Sequence, residues 1–363
     1  MKINKTATLE TDIATLPKLA YAHKFARRGK GHYKEVQETD ADLENRLKTL
    51  RDLIISRKYK TSAYIHVPIT ERGKTRVISK VPYWPDRVAQ AALILGTMET
   101  FEDQFSFDTH AAIPGRGVHT ALSQVRQALI TDPEGTQYCL KLDVSQYFPS
   151  VSHAILKAQI ARLFRDEGIR WMFAEVIDSM PGTRGIPIGN YTSQYLANIY
   201  LAGLDHFAKN TLKIPHYTRY MDDIVIFGAS AADLRRTYRE IAWYLQSRLF
   251  LDVKGNWQIF PVSIRGVDFS GYRIWPDRIL LRKSTFYRSR KACFRIRRLI
   301  LTNGDISKRQ WSVIASYMGW AMHCTPKVRY ALYDGYFRRI LDLLPPDSYK
   351  IPGGREIWLK YMQ

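Results

Sequence analysis

The stretch HYTRYMDDIVIFG, residues 216–228, places two adjacent carboxylates, Asp222 and Asp223, inside an otherwise apolar run. Tyr217, Thr218 and Tyr220 before the pair, and Ile224, Val225, Ile226 and Phe227 after it, are aromatic or β-branched. Such residues predict two strands joined by a tight turn, with the acids at its tip. A solvated turn is the ordinary setting for Asp. Strands beside a solvated turn alternate apolar with polar positions, whereas the outgoing strand here is apolar throughout, the pattern of a strand covered on both faces. Neighbouring carboxylates on a buried element repel each other and resist desolvation, so they stay ionised chiefly where a cation sits between them. The fold must therefore bury a hairpin and still deliver a cation to its tip.

The chain is long enough, at 363 residues, for a large core and two or three lobes, and its 45% hydrophobic content is that of a folded protein. No uninterrupted apolar run of about 18 residues occurs, and the opening MKINKTATLETDIATL lacks a signal-peptide core, which predicts a cytoplasmic protein without a membrane partner. Cys139, Cys293 and Cys324 have no pairing or C-x-x-C spacing, so neither a disulfide framework nor a zinc site is expected. Lys and Arg outnumber Asp and Glu by 55 to 34, a net charge of +21. That excess favours polyanionic partners, nucleic acid above all. The charge is also clustered. Between Asp277 and Asp305 there is no acid, while Arg282, Lys283, Arg288, Arg290, Lys291, Arg295, Arg297 and Arg298 crowd one segment. A second cluster, HKFARRGKGHYK at 23–34, interleaves Phe25 and Tyr33 with its cations, a combination suited to phosphate neutralisation and base stacking.

Along the chain, Leu43, Leu47, Leu50 and Ile54 recur at helical spacing over 40–58. AYIHVPIT and TRVISKV, separated by ERGK, read as a β-hairpin over 63–81, and a helix follows around 86–99. In QYCLKLDVSQYFPSVSH, Leu140, Leu142 and Val144 alternate with Cys139, Lys141 and Asp143. This is a strand carrying Asp143 on the face opposite the main apolar set. Helices are expected over 153–165 and 170–180, then a Gly/Pro loop, RGIPIGNYTSQ, running into another helix. After the Asp-Asp hairpin, Leu234, Tyr238, Ile241, Leu245 and Leu249 line one face of a helix that starts near Ser230. The order of strand, helices, hairpin, helix and strand predicts an α+β core, an antiparallel sheet backed by helices.

YMDD in a hairpin, preceded by LKLDVSQYFPSV and GIPIGNYTSQ and followed by FSGYRI, resembles the ordered motif series of reverse transcriptases. The likeness spans roughly residues 40–340 and implies a right-hand polymerase fold with fingers, palm and helical thumb. On that reading residues 1–40 are a basic N-terminal extension, 41–135 the fingers with part of the palm, 136–275 the palm, and 276–363 a basic helical thumb with a C-terminal tail. The resemblance makes Asp143, Asp222 and Asp223 the catalytic acids and, with the Val144 carbonyl, the ligands of two Mg2+ ions, Asp223 being the most peripheral. It makes Lys254 a proton donor to pyrophosphate. Lys74 and Arg76, with Arg87 as a weaker candidate, match cations that grip the triphosphate, and Tyr147 matches the aromatic under the incoming sugar. Gly271 and Tyr272 fall in the primer grip.

One departure narrows the family. Where most reverse transcriptases carry Gln before the Gly of GIPIGNYTSQ, this chain has Ile188 before Gly189, and Gln194 stands where Pro is usual. That pattern, with SGYRIWPDRILLRKS, is similar to reverse transcriptases of diversity-generating retroelements. The resemblance implies copying of a template-repeat RNA from a primer of RNA or DNA with dNTPs, errors opposite adenine, and an accessory variability protein as partner. Other bacterial reverse transcriptases, of phage-defence or retron type, are the alternative within the same chemistry. A retron is expected to carry Ala where Met221 stands. From a different class, an inactive nucleic-acid-binding protein of the same fold would survive Asp222→Ala unaltered.

Overall fold

The structure, a computed structural model, describes residues 7–71, 74–304 and 306–343. It is an α+β architecture with three separate sheets. Strands β1 (Ile65–Glu71) and β2 (Lys74–Lys80) form an antiparallel hairpin of their own. A four-stranded sheet takes the order β4-β5-β3-β6, from β3 (Tyr138–Asp143), β4 (Tyr217–Tyr220), β5 (Asp223–Gly228) and β6 (Gln258–Pro261). A third sheet joins β7 (Val267–Phe269), β8 (Tyr272–Ile274) and β9 (Ile279–Leu281) in sequence order.

The chain divides into two compact parts, one from Met1–Gly117, Leu140–Ile226 and Ala232–Gln258, the other from Val118–Cys139, Phe227–Ala231 and Ile259–Gln363. In the first, the helix Val88–Glu102 is apolar nearly all round and buries Leu93, Ile94 and Phe101, as a helix surrounded by protein must. The helices Leu16–Ala26 and Tyr191–His206 pack against it. Gly96 lets the helical turn Leu9–Ile13 approach it closely, because a Cβ there would stand 2.5 Å from the Asp12 carbonyl oxygen. The helix Ala231–Leu249 turns Leu234, Ile241, Leu245 and Leu249 inward, as its periodicity predicts, while Tyr238 stacks on Trp257 at 3.8 Å. In the second part the helix Lys283–Asn303 buries Ala292, Cys293, Ile296 and Ile300 and leaves its cations on the remaining faces.

The expected helix over 40–58 is Leu43–Ile55, preceded by a separate helix Lys34–Ala41, with Asp42 at φ −131° and ψ 40° between them. Leu47, Leu50 and Ile54 are buried as their spacing predicts. The three cysteines are buried and form no disulfide. Among the described residues no helix is long and apolar enough to cross a membrane.

Candidate active site

The hairpin that carries the acids is antiparallel, with Tyr217 opposite Ile226 and Tyr220 opposite Asp223. Met221 and Asp222 are therefore the two residues of the turn. Tight two-residue turns require positive φ at their first position, and Met221, although not Gly, adopts φ 53°. Surroundings that over-determine such a conformation are needed to hold it. Two hydrogen bonds supply them: Arg219 Nη1 donates to the Met221 carbonyl at 3.0 Å, and the Val144 amide donates to the Asp222 carbonyl at 3.3 Å.

Arg219 is itself fully buried, on a strand whose neighbours are apolar. Its Nε and Nη2 donate to the two carboxylate oxygens of Asp205 at 2.7 and 2.6 Å, the bidentate arrangement that makes a buried guanidinium tolerable. The hydroxyls of Tyr217 and Thr109 also donate to Asp205, at 2.7 and 2.8 Å, and Arg219 Nη1 reaches Asn198 Oδ1 at 3.2 Å. A buried polar network thus sits directly behind the turn.

At the front, β3 ends on Asp143 and brings it to the same place. The Lys254 amide donates to the Asp143 carbonyl at 2.9 Å, and its ammonium stands 3.9 Å from Asp143 Oδ2. Burial raises the pKa of Asp222 above the ordinary Asp value and the charge of Asp143 pushes the same way, while Arg76 and Lys254 pull it down. Asp223 is pushed up to about 6, first by burial, with Lys141 opposing and the charges of Asp143 and Asp222 adding. Its Oδ2 accepts from Lys141 Nζ at 3.3 Å, while Oδ1 is buried without a hydrogen-bond partner. Among the described residues no group of three His, Cys, Asp or Glu side chains is gathered to hold a metal ion. The charges of Asp143 and Asp222 both act on Asp223, so the three expected acids lie in one another's field. Asp223 is engaged by Lys141 on the neighbouring strand.

The other expected residues separate into those near this cluster and those in packing roles. Arg76 is exposed on β2, and its charge reaches Asp222. The side chain of Lys74, expected beside it, lies outside the described residues. The loop before the helix Tyr191–His206 is pinned to β2, since the Ile188 carbonyl accepts from the Ser79 amide at 2.9 Å. Gly189, at φ +109°, leaves no room for a Cβ, which would meet Ile78 Cγ2 at 2.5 Å. Gln194 is exposed in the first turn of that helix. Tyr147 is only 3% exposed, and its hydroxyl donates to the Ala197 carbonyl. Its ring is packed close to the acids, in the field of Asp222.

These elements also match known proteins. Residues 60–254, more than half of the chain, match the family described as reverse transcriptase (RNA-dependent DNA polymerase). The chain belongs to the reverse transcriptase family. Among its relatives, Protein YkfC of Escherichia coli K12 is 27% identical over 179 residues, covering 46% of each chain. An uncharacterized 91 kDa protein in the cob intron of Schizosaccharomyces pombe is 27% identical over 133 residues, 34% of this chain and 16% of that protein. The putative COX1/OXI3 intron 2 protein of Saccharomyces cerevisiae is 21% identical over 279 residues, 56% of this chain and 32% of that one. The chain thus spans less than half the length of each of these relatives. The structure of apo telomerase from Candida tropicalis superimposes with a TM-score of 0.52 at 11% identity, covering 84% of this chain and 61% of that one. That likeness establishes a right-hand polymerase fold.

Within the second part of this reverse transcriptase, Gly271 stands in the turn just before β8, which Tyr272 opens. Gly271 has φ +91°, and a Cβ there would run into the Trp320 ring. Tyr272 is fully buried, stacks on Trp320 with ring centres 5.2 Å apart, and donates to the Trp320 carbonyl at 3.0 Å. The residues that sequence reasoning missed are Lys141, Asn198, Asp205 and Arg219. Their signal was present as charged or amide residues in apolar segments: Arg219 in HYTRYM, and Asn198 and Asp205 in the helix YTSQYLANIYLAGLDH.

Proposed function

We propose that the chain is an RNA-directed DNA polymerase. The single observation that carries this reading is the meeting of Asp143, at the end of β3, with Asp222, in a turn held from behind by Arg219 and flanked by Arg76 and Lys254. Two carboxylates that share a cleft with cations, one with its pKa raised by burial, suit a hard divalent ion. The buried, unpartnered Oδ1 of Asp223 adds a further oxygen donor beside them. On this reading Asp143, Asp222 and the Val144 carbonyl hold Mg2+, whose chemistry is to stabilise the attacking and leaving oxygens of nucleotidyl transfer. Arg76 and Lys74 bind the triphosphate, Lys254 holds a proton near the leaving pyrophosphate, and Lys141 keeps Asp223 in place. The assignments of residues 41–135 to fingers, 136–275 to palm and 276–363 to thumb belong to the same reading, as do a nucleic-acid template, a primer and dNTPs as partners.

The finer proposal is a polymerase of the diversity-generating type, acting in the cytoplasm with an accessory protein. It copies a template-repeat RNA with errors at adenine, for mutagenic retrohoming into a target gene. Support comes from Ile188, which offers a branched alkyl group where an amide would make positioned hydrogen bonds, so selection that depends on those bonds weakens. Two relatives named for introns favour a second reading, an enzyme that copies the RNA of an intron. Sequencing cDNA made by the purified chain on a primed RNA of mixed composition, with Asp222→Ala as control, tests both. Errors concentrated opposite adenine support the first, faithful cDNA the second. Product from Asp222→Ala equal to that of the native chain would refute the polymerase reading.

A further inference from the structure

A groove of about 790 Å³ lies wholly within the second part of the chain. Its apolar lining comes from Leu280 on β9, from Phe286 and Tyr336, and from Val328, Ala331 and Leu332 on the helix Pro326–Leu332. Its charged lining residues, Arg273, Lys283 and Lys327, are all cations. Arg273 is engaged by Asp268 at 3.7 Å, whereas Lys283 and Lys327 are exposed and have no carboxylate partner among the described residues. The neighbouring elements have no counter-charge to spare, since Asp268, Asp277, Asp334 and Asp342 are each already paired with an arginine.

The groove continues onto the exposed face of the helix Lys283–Asn303. Tyr336 meets Phe286 and Phe294 edge to face, with ring centres 6.0 and 6.1 Å apart, and so links the lining to that face. Along it Tyr287, Phe294 and Leu301 recur every seven residues and are 51%, 50% and 63% exposed. Seven residues make nearly two helical turns, so the three side chains form one stripe about 21 Å long. A lone exposed apolar residue is ordinary, but a periodic row beside an apolar groove marks an interaction surface. Cations accompany the row. Lys283 Nζ stands 6.0 Å from the centre of the Tyr287 ring, and the Arg290 guanidinium 5.5 Å from that of Phe294.

We infer that this surface receives an acidic amphipathic helix of a partner protein. The other occupants each leave something unmatched. A sugar-phosphate backbone neutralises the lysines but leaves the aliphatic lining in water, and the two rings of the groove stand edge to face, not as parallel plates for bases. Symmetric pairing with a second copy of this chain brings the same cations together, which repel. A helix with large apolar residues at i, i+4 and i+7 fills the groove and meets the stripe, while Asp or Glu beside them reach Lys283, Arg290 and Lys327. The volume lies within the range of about 300–1,000 Å³ typical of specific sites, which gives room for the anchoring side chains. The inference goes beyond the polymerase reading and uses none of its catalytic or substrate-binding residues.

The experiment selects binders and then maps them. A displayed library of helices of about 15 residues, the length at which an isolated helix becomes stable, is selected on the full native chain. Its members vary at i, i+4 and i+7 among Leu, Ile, Phe, Met and Trp and carry either Glu or Lys on the flanks. Enriched peptides are expected to carry Glu. By fluorescence anisotropy they should bind Ala331→Glu at least about tenfold more weakly, because the new carboxylate repels theirs. Lys327→Gln should weaken them by up to about fivefold, the worth of an exposed ion pair. Both positions are exposed, so the variants keep the fold, which circular dichroism checks. Enrichment of Lys-flanked helices, no enrichment at all, or equal binding to the native and Ala331→Glu chains would overturn the proposal. A short single-stranded RNA is titrated in parallel. If the peptides displace it and its affinity falls as far in both variants, the face belongs to nucleic acid and the proposal fails. It fails equally if sedimentation finds a dimer that Ala331→Glu dissociates. Asp222→Ala should bind the peptides as the native chain does, so failure of the polymerase reading leaves this outcome intact.

Discussion

Replacing Arg219 by Met removes the cation behind the turn while keeping an unbranched apolar stem of similar reach. Asp205 then remains fully buried with the hydroxyls of Tyr217 and Thr109 but without its bidentate partner. Breaking a buried, hydrogen-bonded ion pair from one side costs about 3–5 kcal/mol. The two remaining neutral donors, each worth about 1 kcal/mol, place the expected loss near the lower end, about 3 kcal/mol. With a urea slope of about 3 kcal/mol per molar, the midpoint should fall by about 1 M. The decisive comparison adds Asp205→Asn, which neutralises the stranded charge but keeps an acceptor for Tyr217. The double variant should be more stable than Arg219→Met alone, because the penalty lies in the uncompensated carboxylate. A single-variant loss below about 1 kcal/mol, or a double variant that loses the sum of both singles, would refute the reasoning.

Three further outcomes follow from the same geometry. In metal-free buffer Asp223 takes up a proton on folding, since its folded pKa of about 6 lies above the unfolded value; the cost of its charge is therefore fully present above pH 6 and relieved as pH falls toward 4. Urea unfolding at pH 7, 6 and 5 should find Asp223→Asn and the native chain converging in stability as the pH falls. Gly189→Ala puts a Cβ against Ile78 on a backbone at φ +109°, and its melting should report a loss of about 1–3 kcal/mol together with reduced cDNA synthesis. Ile188→Gln restores a positioned amide and should lower misincorporation opposite adenine, while identical error spectra from the two enzymes would count against the proposed role of Ile188.

The hairpin Tyr217–Gly228 was legible because an apolar strand and a pair of acids are in open conflict unless something resolves it, and β3 because Leu140 and Leu142 alternate with Lys141 and Asp143. What resolves part of the conflict was not legible. Arg219 occupies a position that reads as an ordinary polar site between two tyrosines, and its partner Asp205 lies in another element, so no local pattern links them. Lys141 was read only as the polar half of an alternation, although it is the residue that claims Asp223. The helix Lys34–Ala41 was not legible, because among its residues only Val36 and Thr39 are buried and no apolar stripe marks it. For Tyr147 the hydrogen bond to the Ala197 carbonyl was equally hidden, since its acceptor lies fifty residues away.

The two neighbouring aspartates of the hairpin are the same amino acid in different chemical settings. Asp222 sits in the turn beside Asp143, in the field of Arg76 and Lys254, whereas Asp223 is tied to Lys141 with a raised pKa. Duplication here is not redundancy. A lineage that loses one acid has no spare copy in the other, so the doublet should be lost as abruptly under mutation as a single catalytic residue would be.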